Sequence, residues 1–507
     1  MKQELINKVL LPIEEAGFKV FFVGGCVRDK LLGLEPHDFD ITTDAKPEQL
    51  HHIFSKFSNV SKNSEKFGIT MPLVEINGKI EEIEIASFRK DLTKGRHPDV
   101  NLDASIEEDA SRRDFTINAL YEDKNGKIID PTGLGLNDIK TYTLRFVGNP
   151  LERLSEDPLR AYRFVRFLSK GFINPYSVEN LNDFKKVLDF SEVSKERKLK
   201  EIKKIFSSKY FIPDTGSYLA AMLLGIFEDM GLMKIFTDMS KIEQSFKWHA
   251  EGATVRYIDS GTLYKCENVK DFSNVEPVCH GTVLDHTLNV WKEMNKILYH
   301  NTAIEITKVN FDEEKRFLLT LAAILHDIGK TKPIGFKTNT FQWGDKTYEE
   351  EVPKVSTHDI IGVPLAEKFC KDLCLSNDEI KFITTLVGQH MNAHKFADTK
   401  HKFKILEFVH QPLFKEIMLL AQADDRGSIE TVVNDVNSPE KNLSLPMVVE
   451  CMNTVMPNPV LTGNDLISFG EKPNSLFKKK LEVAYRVQIE QNINNKKLLY
   501  NIVKNIK

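Results

Sequence analysis

Val23-Gly24-Gly25-Cys26-Val27-Arg28-Asp29, followed by Asp38-Phe39-Asp40, sets a glycine turn, a cation and two alternate carboxylates within eighteen residues. The segment before it, Phe18 to Val23, is aromatic and β-branched and predicts a buried strand, so Gly24 and Gly25 fall where a strand breaks and a helix begins. Backbone N–H groups with no side chain in the way can approach phosphate oxygens there. Asp38 and Asp40 alternate with Phe39 and Ile41, so a strand would turn both carboxylates to one face and both apolar groups to the core. Paired carboxylates on one face suit Mg2+. Together these features predict a site that holds a nucleoside triphosphate on metal.

A third carboxylate is offered by Lys79 to Arg89, where Ile83 and Ile85 are expected on one face of a strand and Glu82 and Glu84 on the other. An isolated Asp-x-Asp is ordinarily a solvated strand edge; the glycine turn and the second acidic strand argue for a site instead.

Further on stand Asp109-Ala110-Ser111-Arg112-Arg113-Asp114-Phe115-Thr116-Ile117-Asn118-Ala119-Leu120, then Asp130-Pro131-Thr132-Gly133, then Glu156-Asp157-Pro158-Leu159-Arg160-Ala161-Tyr162-Arg163-Phe164-Val165-Arg166. With the two earlier stretches, these resemble, in order, the motifs of the bacterial-type (class II) CCA-adding tRNA nucleotidyltransferases and the related poly(A) polymerases. The resemblance implies an α+β protein: a polymerase-beta-like nucleotidyltransferase head with a mixed sheet, an all-α neck and body, and an all-α HD domain. It implies Asp38 and Asp40 as Mg2+ ligands and Glu84 as the carboxylate that orients or deprotonates an attacking 3′-hydroxyl. Gly25 and Arg28 would contact the triphosphate, and Arg113, Asp157, Arg160, Arg163 and Arg166 match nucleotide-contacting positions. The last four recur at i, i+3, i+6 and i+9, which puts them along one helix face. An Asp acceptor and an Arg fork at Asp157 and Arg160 can bond a Watson-Crick edge as another base would, selecting C or A without a nucleic-acid template.

Arg89 to Val100 is polar and turn-rich and reads as a mobile loop. Its full length resembles enzymes that add all of CCA, as does Ser64-Glu65-Lys66-Phe67-Gly68-Ile69-Thr70. A poly(A) polymerase remains the sister reading, and an RNA-end phosphohydrolase with an RNA-binding head is a reading from another class.

A second constellation centres on His326-Asp327, which closes the apolar run Leu318 to Leu325. His286, His358, His390 and Asp424 recur among apolar helical segments, and imidazoles and carboxylates converging from several helices make a transition-metal site with room for water. This set resembles the HD phosphohydrolases. The resemblance implies His286, His326, Asp327 and Asp424 as core ligands, His358 and His390 as extra histidines of two-metal or phosphate-binding variants, and Ni2+, Mn2+, Co2+ or Fe2+ as the metal. Metal-activated water would attack a phosphoester such as a 2′,3′-cyclic phosphate or a 3′-phosphate on a tRNA end.

At 507 residues the chain has length for three or more compact units. The expected divisions are a head at 1–150, a helical neck and body at 151–246, a linker or insertion at 247–274, an HD domain at 275–433 and a helical tail at 434–507. The tail resembles the family through Val460-Leu461-Thr462-Gly463-Asn464-Asp465-Leu466. No apolar run approaches membrane-spanning length, the lysine-bearing N-terminus lacks a signal-peptide core, and six scattered cysteines suit a reduced compartment, so a cytoplasmic protein without a membrane partner is expected. A net charge of −4 means that binding the acceptor arm of tRNA would rest on local basic surface. The candidate is Lys195 to Phe206, an amphipathic stretch carrying Lys195, Arg197, Lys198 and Lys203. CTP and ATP complete the expected partners, and the sequence leaves a homodimer through the C-terminal helices open.

Overall fold

The computed structural model describes residues 2–36, 38–54, 56, 65–93, 99–250, 253–256, 276–300, 311–343, 346–353, 357–394, 401–427 and 446–506. The chain forms two compact units, Met1–Met230 and Gly231–Lys507.

In the first unit, β1 (Val20–Val23) runs into Gly24 and then α1 (Gly25–Leu31), as the sequence predicts. Gly24 has φ +73° and ψ −123°, a region closed to side chains with a Cβ, and this sharp turn lets the chain double back. The remaining strands are β2 (Asp40–Thr43), β3 (Ile69–Thr70), β4 (Leu73–Ile76), β5 (Lys79–Glu82), β6 (Ile85–Ser87), β7 (Lys90–Asp91), β8 (Val100–Asn101), β9 (Tyr121–Glu122) and β10 (Ile128–Ile129). Six of them form a sheet in the order β10-β9-β1-β2-β6-β3. It is mixed: β2 and β6 are parallel, with Ile41 opposite Ile85, while β1 pairs antiparallel with both β2 and β9. Val20, Phe22, Val23, Ile41 and Ile85 are buried, and Phe21, Phe88 and Tyr121 stack in a core cluster on the sheet.

Two local expectations are corrected. Asp38 precedes β2 rather than lying in it, and the acidic segment is not one strand: it breaks at Ile83 and Glu84 between β5 and β6. β5 leaves the main sheet to form a hairpin with β4, so its alternating pattern reflects a hairpin of exposed residues and not a buried strand. The expected loop between Arg89 and Val100 is closed at its base by β7 pairing antiparallel with β8; residues 94–98, like Ser64, lie outside the described residues.

The helical part of this unit carries α2 (Ile106–Ser111), α3 (Pro150–Glu156), α4 (Leu159–Leu168) and α5 (Lys195–Phe206). A Ser105/Glu108 capping box starts α2, and Asn149 with Pro150 starts α3. On α4, Ala161, Tyr162, Phe164, Val165, Phe167 and Leu168 are buried, with Phe164 and Phe167 in an aromatic cluster around Phe115 and Phe146. That burial fixes the helix roll and leaves Arg160, Arg163 and Arg166 together on the opposite face, whereas Asp157, expected with them, stands in extended conformation between α3 and α4.

The second unit begins earlier than the expected division at 246, because α6 (Leu232–Met239) packs on α7 (Val283–His300). Between them, β11 (Glu243–Ala250), β12 (Ala253–Arg256) and β13 (Glu276–Thr282) form an antiparallel sheet in the order β12-β11-β13. The expected insertion therefore contains strands, and 251–252 and 257–275 lie outside the described residues. The bundle that follows joins α7, α8 (Glu313–Leu325), α9 (His358–Asp372), α10 (Asn377–Ala393) and α11 (Phe414–Gly427). Every residue of α8 from Phe317 to Leu325 is buried, as expected of a helix apolar on all sides at the centre of a bundle. The bundle is not wholly α: an antiparallel hairpin, β14 (Phe336–Trp343) and β15 (Lys346–Pro353), is inserted between Asp327 and His358. Residues 428–445 lie outside the described residues. Toward the C-terminus, α12 (Gly463–Ser468), α13 (Leu476–Gln491) and α14 (Lys496–Val503) bury Leu461, Leu466, Ala484, Leu499 and Val503 together. Cys26, Cys370, Cys374 and Cys451 are free thiols. Among the described residues no helix is long and apolar enough to cross a membrane.

Candidate active sites

The first site is a cavity of about 730 Å3 in the first unit. Its lining brings together Gly24, Gly25, Arg28, Asp40, Arg113, Asp157, Arg160, Arg163 and Arg166 from the sequence-based set, and adds Arg89, Arg112, Asp114, Asn118, Glu156 and Arg197. Asp91, Leu92 and Thr93, at the base of the 89–100 loop, also line it.

Of the three expected carboxylates Asp40 lines the cavity, whereas Asp38 and Glu84 are not among its lining residues. Burial raises the Asp40 pKa, Arg113 opposes that rise, and Asp38 adds to it. Burial also raises the Glu84 carboxyl, with Asp40 the further cause. Asp40 thus feels Asp38, and Glu84 feels Asp40, but the three carboxylates are not close enough together in this structure to form a ready-made ion site. Gly24 is packed between the two ends of this chemistry: a Cβ there would lie 3.6 Å from Arg113 Nη1 and 3.7 Å from Asp40 Oδ2.

The arginines are held by a buried network that the sequence reading did not single out. Asp109, wholly buried, accepts from Arg112 (Nη2, 2.6 Å), from Arg113 (Nη2, 3.0 Å) and from the Tyr121 hydroxyl (2.7 Å). Burial opposes the Asp109 charge, but Arg113 and Arg112 outweigh it and hold the carboxyl below its usual range. A second chain runs from Arg28 to Asn118 (2.7 Å), from Asn118 to Asp114 (3.0 Å) and from Asp114 to Arg163 (2.8 Å). Arg166 pairs with Glu201 on α5 at 3.0 Å. The i+4 spacing of Asp109 to Arg113, and Asp114 beside it, were the available signals; burial of both acids was not.

Asp157 and Arg160 line the cavity, and the Arg160 N–H donates to the Asp157 carbonyl at 3.0 Å, but their side chains do not bond each other. Arg160 donates to Glu156 (2.8 Å) and to the carbonyls of Arg153 and Arg112 (2.8 Å each). Asp157 accepts from the Leu159 N–H at 3.3 Å and from Arg197 Nη2 at 3.1 Å. Thus Arg197, expected on a basic face for RNA, is turned to the cavity. Lys198 pairs with Asp229 at 2.8 Å, Lys195 is exposed and Lys203 is half-buried.

The second site lies at the centre of the helical bundle. His286 from α7, His326 and Asp327 just past α8, His358 from α9, His390 from α10 and Asp424 from α11 converge as the sequence predicts. They fall into two groups able to hold an ion, His286/His326/Asp424 and Asp327/His358/His390. Asp327 stands between them, with Oδ2 3.3 Å from His326 Nε2 and Oδ1 3.1 Å from His358 Nε2. The Nδ1 atoms of His326 and His390 each lie 2.8 Å from a backbone carbonyl, of Ala323 and Val387, which makes Nδ1 the donor and leaves the Nε2 lone pair facing inward. Inward Nε2 atoms then meet in close pairs, His286 with His326 at 3.2 Å and His358 with His390 at 3.3 Å. Imidazole nitrogens and carboxylate oxygens gathered in this way are a donor set that fits divalent transition ions. Burial, helped by His326, brings the His390 pKa down to about 4, which keeps this imidazole neutral as a ligand must be. Two neighbours escaped the sequence reading: Lys330 bonds Asp327 Oδ2 at 2.7 Å, and His394, four residues beyond His390, approaches Asp424 Oδ2 at 3.2 Å.

Residues 20–145 of the chain match the Poly A polymerase head domain and residues 283–425 match the HD domain. More particularly, it is similar to CCA-adding enzymes. It is 48% identical to that of Ligilactobacillus salivarius over 165 residues, 32% of this chain and 39% of the relative. It is 34% identical to that of Limosilactobacillus reuteri over 254 residues, 49% of this chain and 60% of the relative. Poly(A) polymerase I of Haemophilus influenzae is 36% identical over 174 residues, 32% of this chain and 37% of the relative. The chain thus spans about two fifths of the first of these relatives, and under two thirds of each. In fold it is like the Bacillus stearothermophilus CCA-adding enzyme in complex with CTP, with a TM-score of 0.53 at 22% identity over 99% of this chain and 96% of the other. It is likewise similar to the Thermotoga maritima enzyme complexed with tRNA, with a TM-score of 0.52 at 17% identity over 97% and 92%.

Proposed function

We propose that the chain adds C, C and A to the 3′ end of tRNA from CTP and ATP without a nucleic-acid template, and that its HD site hydrolyses a phosphoester at an RNA end. The observation that carries the first reading is one cavity whose lining combines Asp40, Asp157 and Arg160 with several further arginines. Asp38, Asp40 and Glu84 would hold Mg2+, which when bound activates the 3′-hydroxyl and neutralises charge on the triphosphate and leaving pyrophosphate. Arg28 and Arg113 grip the triphosphate, and Gly24 and Gly25 let it approach the backbone. Asp157 accepts from the exocyclic amino group that C and A share, while the Arg160 fork donates to the ring edge. The 89–100 loop, whose base flanks the cavity, adjusts the site from C to A. Lys195 and Lys203, on the outer side of α5, meet the RNA backbone. Complexes of CCA-adding enzymes with CTP, ATP and tRNA support these partners.

The test is a transcribed tRNA lacking its CCA end, given Mg2+ and each labelled triphosphate alone and mixed. Two C residues from CTP, then one A and a stop, are expected. The likeness to poly(A) polymerase I favours one rival: an ATP ladder without use of CTP would replace the CCA reading.

At the HD site, His286, His326 and Asp424 would hold one ion and Asp327, His358 and His390 another. Ni2+, Mn2+, Co2+ or Fe2+ bound there supplies an activated water for attack on phosphorus. Lys330, 13% exposed beside Asp327, offers a cation to the phosphoryl oxygens. The expected substrate is a 2′,3′-cyclic phosphate or 3′-phosphate that blocks a tRNA end. Cytoplasmic residence and a homodimer through the C-terminal helices belong to the same proposal.

A further inference from the structure

Ionic contacts tie α5 to its own unit, and one of them reaches into the nucleotide cavity. Ile202, Ile205 and Phe206 bury the inner side of the helix, Glu201 pairs with Arg166, and Lys198 pairs with Asp229. With the helix so fixed, Arg197 falls 3.1 Å from Asp157 Oδ2, with both side chains about one-third exposed at the cavity wall. Asp157 Oδ1 is held separately by the Leu159 N–H, so each oxygen has one fixed donor and spare acceptor capacity.

We propose that Arg197 is a positioning residue for base selection: it fixes the Asp157 carboxylate so that its remaining lone pairs accept the amino group of cytosine or adenine and repel the carbonyl of uracil or guanine. An ionised carboxylate is acceptor-only, whereas O4 of the uracil-type edge and O6 of guanine are acceptors too, so a fixed carboxylate rejects both. A carboxylate free to rotate would swing its charge away from a wrong base, and the penalty would fall. Arg160 needs no such help, because Glu156 and two carbonyls already hold it. The inference rests on the reading of the head as a nucleotide-adding site and gives Arg197 a task distinct from contact with the RNA backbone.

The experiment compares the full chain with Arg197→Ala and Arg197→Lys. It measures kcat and KM for CTP and ATP, incorporation of UTP and GTP, and KM for tRNA across a salt series. Arg197→Ala is expected to lower discrimination of C over U and of A over G by about tenfold or more, the scale of losing one fixed polar contact in a selective site. KM for CTP and ATP rises, KM for tRNA and its salt slope hold, and Arg197→Lys restores part of the discrimination. A raised tRNA KM and shallower salt slope with discrimination intact would overturn the proposal in favour of a backbone contact. A uniform loss of rate with a lower Tm, discrimination intact and no rescue by Lys would reduce Arg197 to a structural role. If the unaltered chain extends no tRNA, the nucleotide-adding reading itself fails. Calorimetric binding of CTP, ATP, UTP and GTP with Mg2+ then decides separately: preference for C and A in the unaltered chain, lost in Arg197→Ala, upholds the inference, and its absence or persistence refutes it.

Discussion

Replacing Asp109 by Asn removes one charge and no volume, and tests whether a buried carboxylate holds the arginines of the nucleotide cavity. Asp109 is 0% exposed and meets Arg112, Arg113 and Tyr121. Removing one partner of a buried ion pair costs about 3–5 kcal/mol, and because Arg112 and Arg113 keep 20% and 18% exposure the lower end, about 3 kcal/mol, is expected. For a unit of this size that is a fall in Tm of roughly 6–12 °C. The pH dependence has a definite sign. The folded Asp109 carboxyl lies below its unfolded value, so its stabilisation is complete above about pH 4 and disappears as pH falls through the lower folded pKa, where the native residue becomes as neutral as Asn. Urea titration followed by hydrogen exchange in peptides from 106–122 reads this locally. Trp248, Trp291 and Trp343 all belong to the second unit, so their emission serves as an internal control. A stability difference under about 1 kcal/mol at pH 7, the worth of a single ordinary hydrogen bond, or one that widens on acidification, would refute the network's role.

Asp40→Ala should abolish nucleotide addition and leave phosphoester hydrolysis intact, and Asp327→Ala should do the reverse; loss of both activities in either variant contradicts two independent sites. Gly329→Ala places a Cβ 1.9 Å from the His358 carbonyl oxygen and 2.7 Å from the Gly362 nitrogen, so α9 must shift. The expected cost is about 1–3 kcal/mol, with reduced metal content by elemental analysis and unchanged nucleotide addition; full metal occupancy would show that α9 tolerates the shift. Mn2+ at about 100 times its dissociation constant should stabilise the second unit by about 2.7 kcal/mol, read as a rise in the tryptophan-detected transition that His326→Ala removes.

The sequence by itself determined the chemistry and its local frame. Gly24 turns the strand into the helix through a positive φ that side chains with a Cβ disfavour, and the apolar spacing of 159–168 forced Arg160, Arg163 and Arg166 onto one face. The histidines and carboxylates of the HD set were legible because each sits among apolar helical residues, where an isolated polar group is costly. What the sequence could not convey was which charges meet. Glu82 and Glu84 read as one strand, yet the chain breaks between β5 and β6, since alternation looks alike in a free hairpin and in a sheet. Nothing in the sequence marked Asp109 and Asp114 as buried partners of arginines, which packing makes them, and Arg197 read as part of a basic face for RNA, whereas the burial of Ile202 and Phe206 rolls it toward Asp157. Local periodicity fixes the face on which a side chain stands, but only the packing of distant segments decides whether that face meets water, an acid or a ligand, because the energy of a charge depends on its neighbours and not on its place in the chain.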